Sequence, residues 1–311
     1  MKRILITGGC GFIGSAMTAE LSAAGHEVFI LDDLSYGSRE FVRIDDARFR
    51  LGNILDRALV HDFFAAARPD VIVHLAAVHF IPHCNKFPFE SANINISGTM
   101  NVLDAAAAAG SVKQLLFAST AAVYPIVDHA IAEPHPLGPL DIYGLSKVAG
   151  ERLCHEFFLA TGIATIVCRF FNAFGPNETN PHLIPEIQKQ INAGQRTLKL
   201  GNLDPKRDFI HTSDMARATR LLLDAFTKGH DVFNLGRGEE YSVRDIVAAF
   251  SRNLGEEVRI EVDPERVRKT DRMHLLADVS KLRAFSGWEP AVSLDAGIRT
   301  LISNDSLAGK A

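Results

Sequence analysis

A short apolar run, Arg3-Ile4-Leu5-Ile6, leads directly into Thr7-Gly8-Gly9-Cys10-Gly11-Phe12-Ile13-Gly14. A helix-like pattern follows as far as Ala24, with Gly25 as its stop. Strand, glycine turn and helix in that order form a unit that binds dinucleotides. Gly8 permits the tight turn, Gly11 lets the backbone approach a pyrophosphate, and Gly14 lets the helix pack closely on the strand. The helix opens at Phe12 and Ile13, where free N–H groups and the positive dipole end face the phosphates. The next apolar run, Val28-Phe29-Ile30-Leu31, ends in Asp32-Asp33. Asp32 stands at the spacing of a carboxylate that binds a ribose diol, and its charge repels a 2′-phosphate, so NAD is expected over NADP.

The alternation continues. Strands are expected at 49–51, 71–75, 114–118, 164–169 and 232–235, with helices around 57–67, 90–109, 143–161 and 214–227. This order calls for an α/β fold, a doubly wound parallel Rossmann sheet. Ligands of such sheets sit off the carboxyl ends of the strands. Leu75-Ala76-Ala77 and Ser119-Thr120 therefore fall at the cleft, and Asn53-Ile54 is placed to meet an adenine. After Phe171 the chain turns richer in proline, and an amphipathic helix spans 186–192. We expect a cofactor domain over 1–172, with returns near 208–236, and a smaller, discontinuous α/β substrate domain over 173–311. Basic residues gather at Lys206-Arg207, at 266–269 and at Arg272, where arginine forks suit an anion such as phosphate.

With 311 residues, 47% of them hydrophobic, the chain can bury a large core. Its formal net charge of -4 gives no footprint for nucleic acid or a membrane surface. No apolar run is long enough to span a bilayer, and a strand-like run beginning at Lys2 leaves no room for a signal peptide. Cys10, Cys84, Cys154 and Cys168 lack paired spacing, as expected of reduced thiols in the cytoplasm. His79, His83 and Cys84 lie close in sequence, but Pro82 interrupts the helix that would align them and no fourth ligand is near, so no metal is expected.

The chemistry centres on Tyr143-Gly144-Leu145-Ser146-Lys147. Tyrosine and lysine four apart share a helix face. A free tyrosine titrates near pH 10, about three units too high for a base at neutral pH. Lowering it that far takes about 4 kcal/mol of phenolate stabilisation, and the Lys147 ammonium is the expected source.

Taken together, TGGCGFIG (7–14), LDDLSYGS (31–38), HLAA (74–77), STAAVY (119–124), YGLSK (143–147), RFFNAFGP (169–176), RDFIHTSD (207–214), RKTD (268–271) and LLADVSK (275–281) resemble the extended short-chain dehydrogenase/reductase family. The resemblance covers nearly the whole chain and is nearest to its NAD-dependent nucleotide-sugar epimerases and dehydratases, above all the UDP-glucose 4-epimerases. It implies Tyr143 as acid and base, Lys147 holding the nicotinamide ribose, and Thr120 hydrogen-bonding the hydroxyl being oxidised. It implies that Asn172, Arg207 and Arg268 grip the nucleotide diphosphate, that Asp271 holds the nucleoside ribose, and that Leu275 lines the C2 side of the sugar. A homodimer is implied through the helices near 90–109 and 143–161, with Ile94, Val102, Leu103, Val148, Leu153 and Phe157 as candidates for its apolar surface, although core burial explains those residues equally well.

Four departures stand out: Pro125 where the family usually has glycine, Asn53 where aspartate is common, no glycine before Asp271, and His79-Phe80 at a variable position. The expected activity is a UDP-hexose 4-epimerase with permanently bound NAD and a transient 4-keto sugar. A 4,6-dehydratase or uronate decarboxylase shares the first step but carries acidic residues where this chain has Ala121-Ala122. A 4-ketoreductase shares the Thr120, Tyr143 and Lys147 set. A non-catalytic NAD-binding protein on the same fold has no need of a base.

Overall fold

The computed structural model describes residues 1–267 and 272–308, with side chains to residue 302. Arg268 and Asp271 lie outside the described residues. The chain begins with β1 (Arg3–Thr7), α1 (Phe12–Ala23), β2 (Glu27–Asp32), β3 (Phe49–Leu51), α2 (Arg57–Ala67) and β4 (Val71–His74). Two short helices, α3 (Ile81–Lys86) and α4 (Pro88–Ala92), lead through a wide turn at Asn93–Ser97 into α5 (Gly98–Ala109). Then come β5 (Gln114–Thr120), α6 (Ile142–Thr161), β6 (Ala164–Phe170), β7 (Asn172–Phe174), α7 (Leu183–Asn192), β8 (Thr197–Leu200) and β9 (Lys206–His211). The chain closes with α8 (Thr212–Ala225), β10 (His230–Leu235), β11 (Glu240–Ser242), α9 (Val243–Leu254), β12 (Arg259–Val262), α10 (Ser280–Ser286) and α11 (Leu294–Ala308).

Seven strands form one parallel sheet in the order β10-β6-β5-β4-β1-β2-β3. Period-two alternation sends successive side chains to opposite faces. Ile4, Ile6, Val28 and Ile30 pack with Met17 of α1 and Leu222 of α8. Leu5, Phe29, Leu31 and Ile72 pack with Phe64 of α2 and Val102 of α5 on the other face. Burial on both faces explains why these strands read as unbroken apolar runs. The chain reverses direction across the sheet between β1 and β4, which opens a crevice at their carboxyl ends. Above it, β11-β9-β7 and the pair β12-β8 carry a separate core in which Ile187, Phe209, Ile246 and Phe250 meet.

The helix expected over 90–109 is interrupted. Asn95, buried within the wide turn, directs its side chain to the backbone of Val78, accepting from its N–H at 2.8 Å and donating to its carbonyl at 2.9 Å. The apolar residues expected at a dimer surface are core residues. Val102, Leu103 and Phe157 are buried under the sheet, Ile94 and Leu153 pack against the same cluster, and Val148 packs beside Phe171 and Leu275. The exposed apolar side chains of these helices are Phe89, Met100, Leu145 and Leu159.

Behind the crevice, α6 is tied to the sheet by a buried ion pair. Arg169 of β6 donates from Nε and Nη2 to Glu151 of α6 at 2.9 and 2.7 Å. Ser119 of β5 donates to the same carboxylate, and Arg169 also donates to the Tyr124 hydroxyl at 2.8 Å. With both side chains sequestered, loss of one charge strands the other. Glu151→Gln is expected to lower the unfolding free energy by about 3 kcal/mol in denaturant titration. The double change Glu151→Met with Arg169→Met is expected to recover part of that loss, and a single-variant loss under about 1 kcal/mol would contradict the assignment.

Candidate active site

A cleft of about 1260 Å³ runs from the β1–α1 turn, past the ends of β4 and β5, to the underside of the second core. That exceeds the room needed for one drug-sized ligand. At one end Gly8 takes a positive φ of 75°, and a Cβ on it would meet the amide of Ala76 at 2.8 Å. A Cβ on Gly14 would collide with the Gly8 carbonyl. Gly11 caps α1 without a side chain, so the first-turn amides at Phe12 and Ile13 open toward the cleft, which both residues line. Leu75, Ala76 and Ala77 line the adjoining wall.

Asp32 lines the cleft and is at the same time structural. Its two oxygens accept the amides of Cys10 and Leu34, each at 2.8 Å. Burial pushes its carboxyl up, and these two amide bonds pull it back. A carboxylate oxygen accepts more than one donor, so capacity for a ribose hydroxyl remains. Asp33 accepts from the Asn53 amide at 2.7 Å, and the Asn53 carbonyl oxygen accepts the Leu55 N–H at 2.9 Å. Asn53 and Ile54 both line the cleft, with Asn53 already committed to shaping its own turn.

Midway, α6 enters through Asp141, whose side chain accepts the Gly144 amide at 2.7 Å. This cap sets Tyr143 in the first turn and Lys147 one turn on, and both line the cleft with Thr120. Lys147 Nζ donates to the Ala118 carbonyl at 2.7 Å and lies 4.8 Å from the Phe117 ring centroid. Burial lowers its pKa to about 8. The Tyr143 phenol is pushed above its ordinary value by burial, and its hydrogen bond with Thr120 is the smaller, opposing influence. The expected lowering by Lys147 is therefore not present in the protein alone. The ammonium is turned to the Ala118 carbonyl, 6.0 Å from the tyrosine ring centroid, and desolvation dominates.

Ala121 and Ala122 follow Thr120 and present only methyl groups to the cleft. At the far end Asn172, Arg207, Arg272 and Leu275 line the wall. Arg207 donates to the carbonyls of Lys206 and Arg272, at 2.8 and 2.7 Å. Arg266 pairs with Glu186 at 2.8 Å across the mouth. His79 lies against Asn180 at 3.1 Å, and burial lowers its pKa to about 4, leaving a neutral ring.

Three positioning residues escaped the sequence reading. Asn95 donates to the Ser146 hydroxyl at 3.0 Å, so one side chain joins the end of β4 to α6. His74 bridges Thr7 at 2.6 Å and Thr99 at 3.0 Å, and burial lowers its pKa to about 3. Asp208 accepts the amides of Arg237, Gly238 and Ala277 and joins three returning segments beneath the second core. The RDFIHTSD motif contains Asp208, but nothing in it shows which distant amides the carboxylate collects.

The glycine cradle, the uncapped helix start and Asp32 fit an NAD dinucleotide. A model of the NAD-dependent epimerase/dehydratase family matches residues 4–236. The chain belongs to that family. A UDP-glucose 4-epimerase of Corynebacterium glutamicum is 33% identical over 319 residues, covering 97% of this chain and 94% of that one. A GDP-6-deoxy-D-mannose reductase of Pseudomonas aeruginosa is 28% identical over 316 residues, covering 97% of each. The crystal structure of the Thermotoga maritima UDP-glucose 4-epimerase with UDP-glucose superposes with a TM-score of 0.89 at 26% identity, covering 98% of this chain and 99% of that one.

The cofactor is NAD. Asp32→Asn removes the charge and keeps an acceptor for one of the Cys10 and Leu34 amides, while the other faces the new NH2 group. It is expected to narrow the preference for NAD over NADP about tenfold, read as the ratio of dissociation constants by calorimetry. An unchanged ratio would remove Asp32 from cofactor selection.

Proposed function

We propose that the protein is a nucleotide-sugar 4-epimerase acting on a UDP-linked sugar through a transient 4-keto sugar. The observation that carries this reading is the meeting of Thr120, Tyr143 and Lys147 beside two methyl groups, Ala121 and Ala122, in a cleft of about 1260 Å³ that also takes in the glycine turn and Arg207. Tyr143 takes the proton from O4 of the sugar, and Thr120 shares the hydrogen bond at that oxygen. Lys147 holds the nicotinamide ribose, while its charge, displaced toward Ala118, favours the phenolate once ligands exclude water. NAD, when bound, supplies the hydride acceptor and donor at C4 together with a positively charged ring. Tyr143 returns the proton after the sugar has turned over. Asn172 and Arg207 keep hold of the diphosphate meanwhile, joined by Arg268 on the family pattern, with Asp271 on the nucleoside ribose.

Elimination after the first step needs a base at C5 and an acid at C6, and a methyl group is neither. This favours the epimerase over a 4,6-dehydratase or a uronate decarboxylase. Leu275, smaller than an aromatic residue, leaves room for an N-acetyl group at C2. The division into a cofactor unit (1–172, with returns at 208–236) and a substrate unit (173–311) belongs to the same reading. So does a homodimer, for which Phe89, Met100, Leu145 and Leu159 offer exposed apolar surface on the expected helices. Among the described residues no helix is long and apolar enough to cross a membrane. The four unpaired, buried thiols support a place in the cytoplasm.

The test is product identification by NMR across plain, N-acetylated and acidic UDP-sugars, with no NAD added. The expected result is reversible formation of the C4 epimer without net NADH, and a loss of about 10²- to 10⁴-fold in Tyr143→Phe. Loss of water or carbon dioxide from the product, or consumption of one NAD(P)H per turnover, would replace the epimerase with one of its rivals. A Tyr143→Phe variant retaining a tenth of the activity would displace the base.

A further inference from the structure

Arg272 is one of the basic residues suited to an anion, but no group of the substrate has been assigned to it. It is half-buried and lines the cleft. Its guanidinium donates to the carbonyls of Tyr124 at 2.7 Å and Pro125 at 3.2 Å, on the loop that follows Thr120-Ala121-Ala122. Among the described residues it has no carboxylate within ion-pairing distance. Arg266, by contrast, is matched by Glu186 and Asp263. The acid that acts on Arg272 from a distance is Asp141, already engaged in capping α6, while Arg207 repels it. A guanidinium has five N–H donors, and two carbonyls leave most of them unmet in a partly dry cleft beside a second cation.

We infer that Arg272 reads a negative charge carried by the sugar itself, so that the favoured substrate is a nucleotide hexuronate, with a carboxylate at C6. This rests on the 4-epimerase reading for the position of the sugar. The reacting C4 must lie at Thr120 and Tyr143, and C6 is two bonds from C4, whereas the diphosphate hangs from C1 across the ring. The guanidinium lies over the loop leaving Thr120 and within the influence of Asp141, two residues before Tyr143. Arg207, on the other hand, is held by the main-chain carbonyl of residue 272 and by its own neighbour. A carboxylate satisfies the planar fork with two parallel hydrogen bonds, which a C6 hydroxyl cannot do. The pairing also stabilises the carboxylate of the 4-keto intermediate and not neutral carbon dioxide, so it opposes decarboxylation.

Dissociation constants for UDP-glucuronate, UDP-glucose and UDP, measured by calorimetry on the NAD-loaded protein, test this. The native protein is expected to bind UDP-glucuronate at least about tenfold more tightly than UDP-glucose. Arg272→Met should abolish that preference, and Arg272→Lys should restore part of it. Equal affinities in the native protein would overturn the inference. So would an Arg272→Met loss of the same size on the acid, the neutral sugar and UDP, which would assign the guanidinium to the diphosphate. Because affinities are read, the result stands whether or not the bound sugar is epimerised, and the NMR product assay decides the epimerase reading separately.

Discussion

The hydrogen bond from Lys147 Nζ to the Ala118 carbonyl is the contact on which the site depends. It joins α6, which carries the acid-base candidate, to β5, which carries Thr120. It also fixes a cation where only 3% of the lysine remains exposed. A charge so placed is costly, and burial lowers its pKa to about 8. The same desolvation raises the Tyr143 phenol. Burial alone therefore favours the neutral form of both groups in the protein without ligands.

Polar contacts hold that arrangement from three sides. Asp141 caps α6 at the tyrosine, Asn95 couples Ser146 to the strand end at Val78, and the Glu151–Arg169 pair anchors the next turns of α6 to β5 and β6. His74, kept neutral, links the ends of β1 and β4 without adding charge beside Lys147. Apart from the half-buried Asp141, each is a buried polar group with its partners met, so each resists displacement more than an apolar contact of equal area would. The wide turn that breaks the 90–109 helix belongs to this set, because a straight helix would not leave Asn95 able to reach the Val78 backbone.

Much of this was legible in the sequence wherever local chemistry leaves one choice. The β1–α1 glycine turn, the central strands and the helical spacing of Tyr143 and Lys147 each follow from short patterns of steric or periodic origin. What stayed hidden depends on distant partners. Nothing near Asp208 announces three amides from residues 237, 238 and 277, and nothing near Asn95 announces Val78. Val102, Leu103 and Phe157 read equally well as core or interface until the sheet covers them. The Tyr143–Lys147 spacing was read correctly as shared placement on one helix face. Its electrostatic consequence depends on burial and on the Ala118 carbonyl, which the spacing does not show.

The central claim is that Tyr143 and Lys147 serve a hydride that leaves C4 and returns to it within one closed site. Substrate deuterated at C4, followed by NMR through many turnovers in ordinary water, tests it most directly. The account predicts that the C4 epimer forms with deuterium retained at C4. Progressive replacement of that deuterium by solvent hydrogen would mean that a proton, not a hydride, is removed from carbon, and the account would fail.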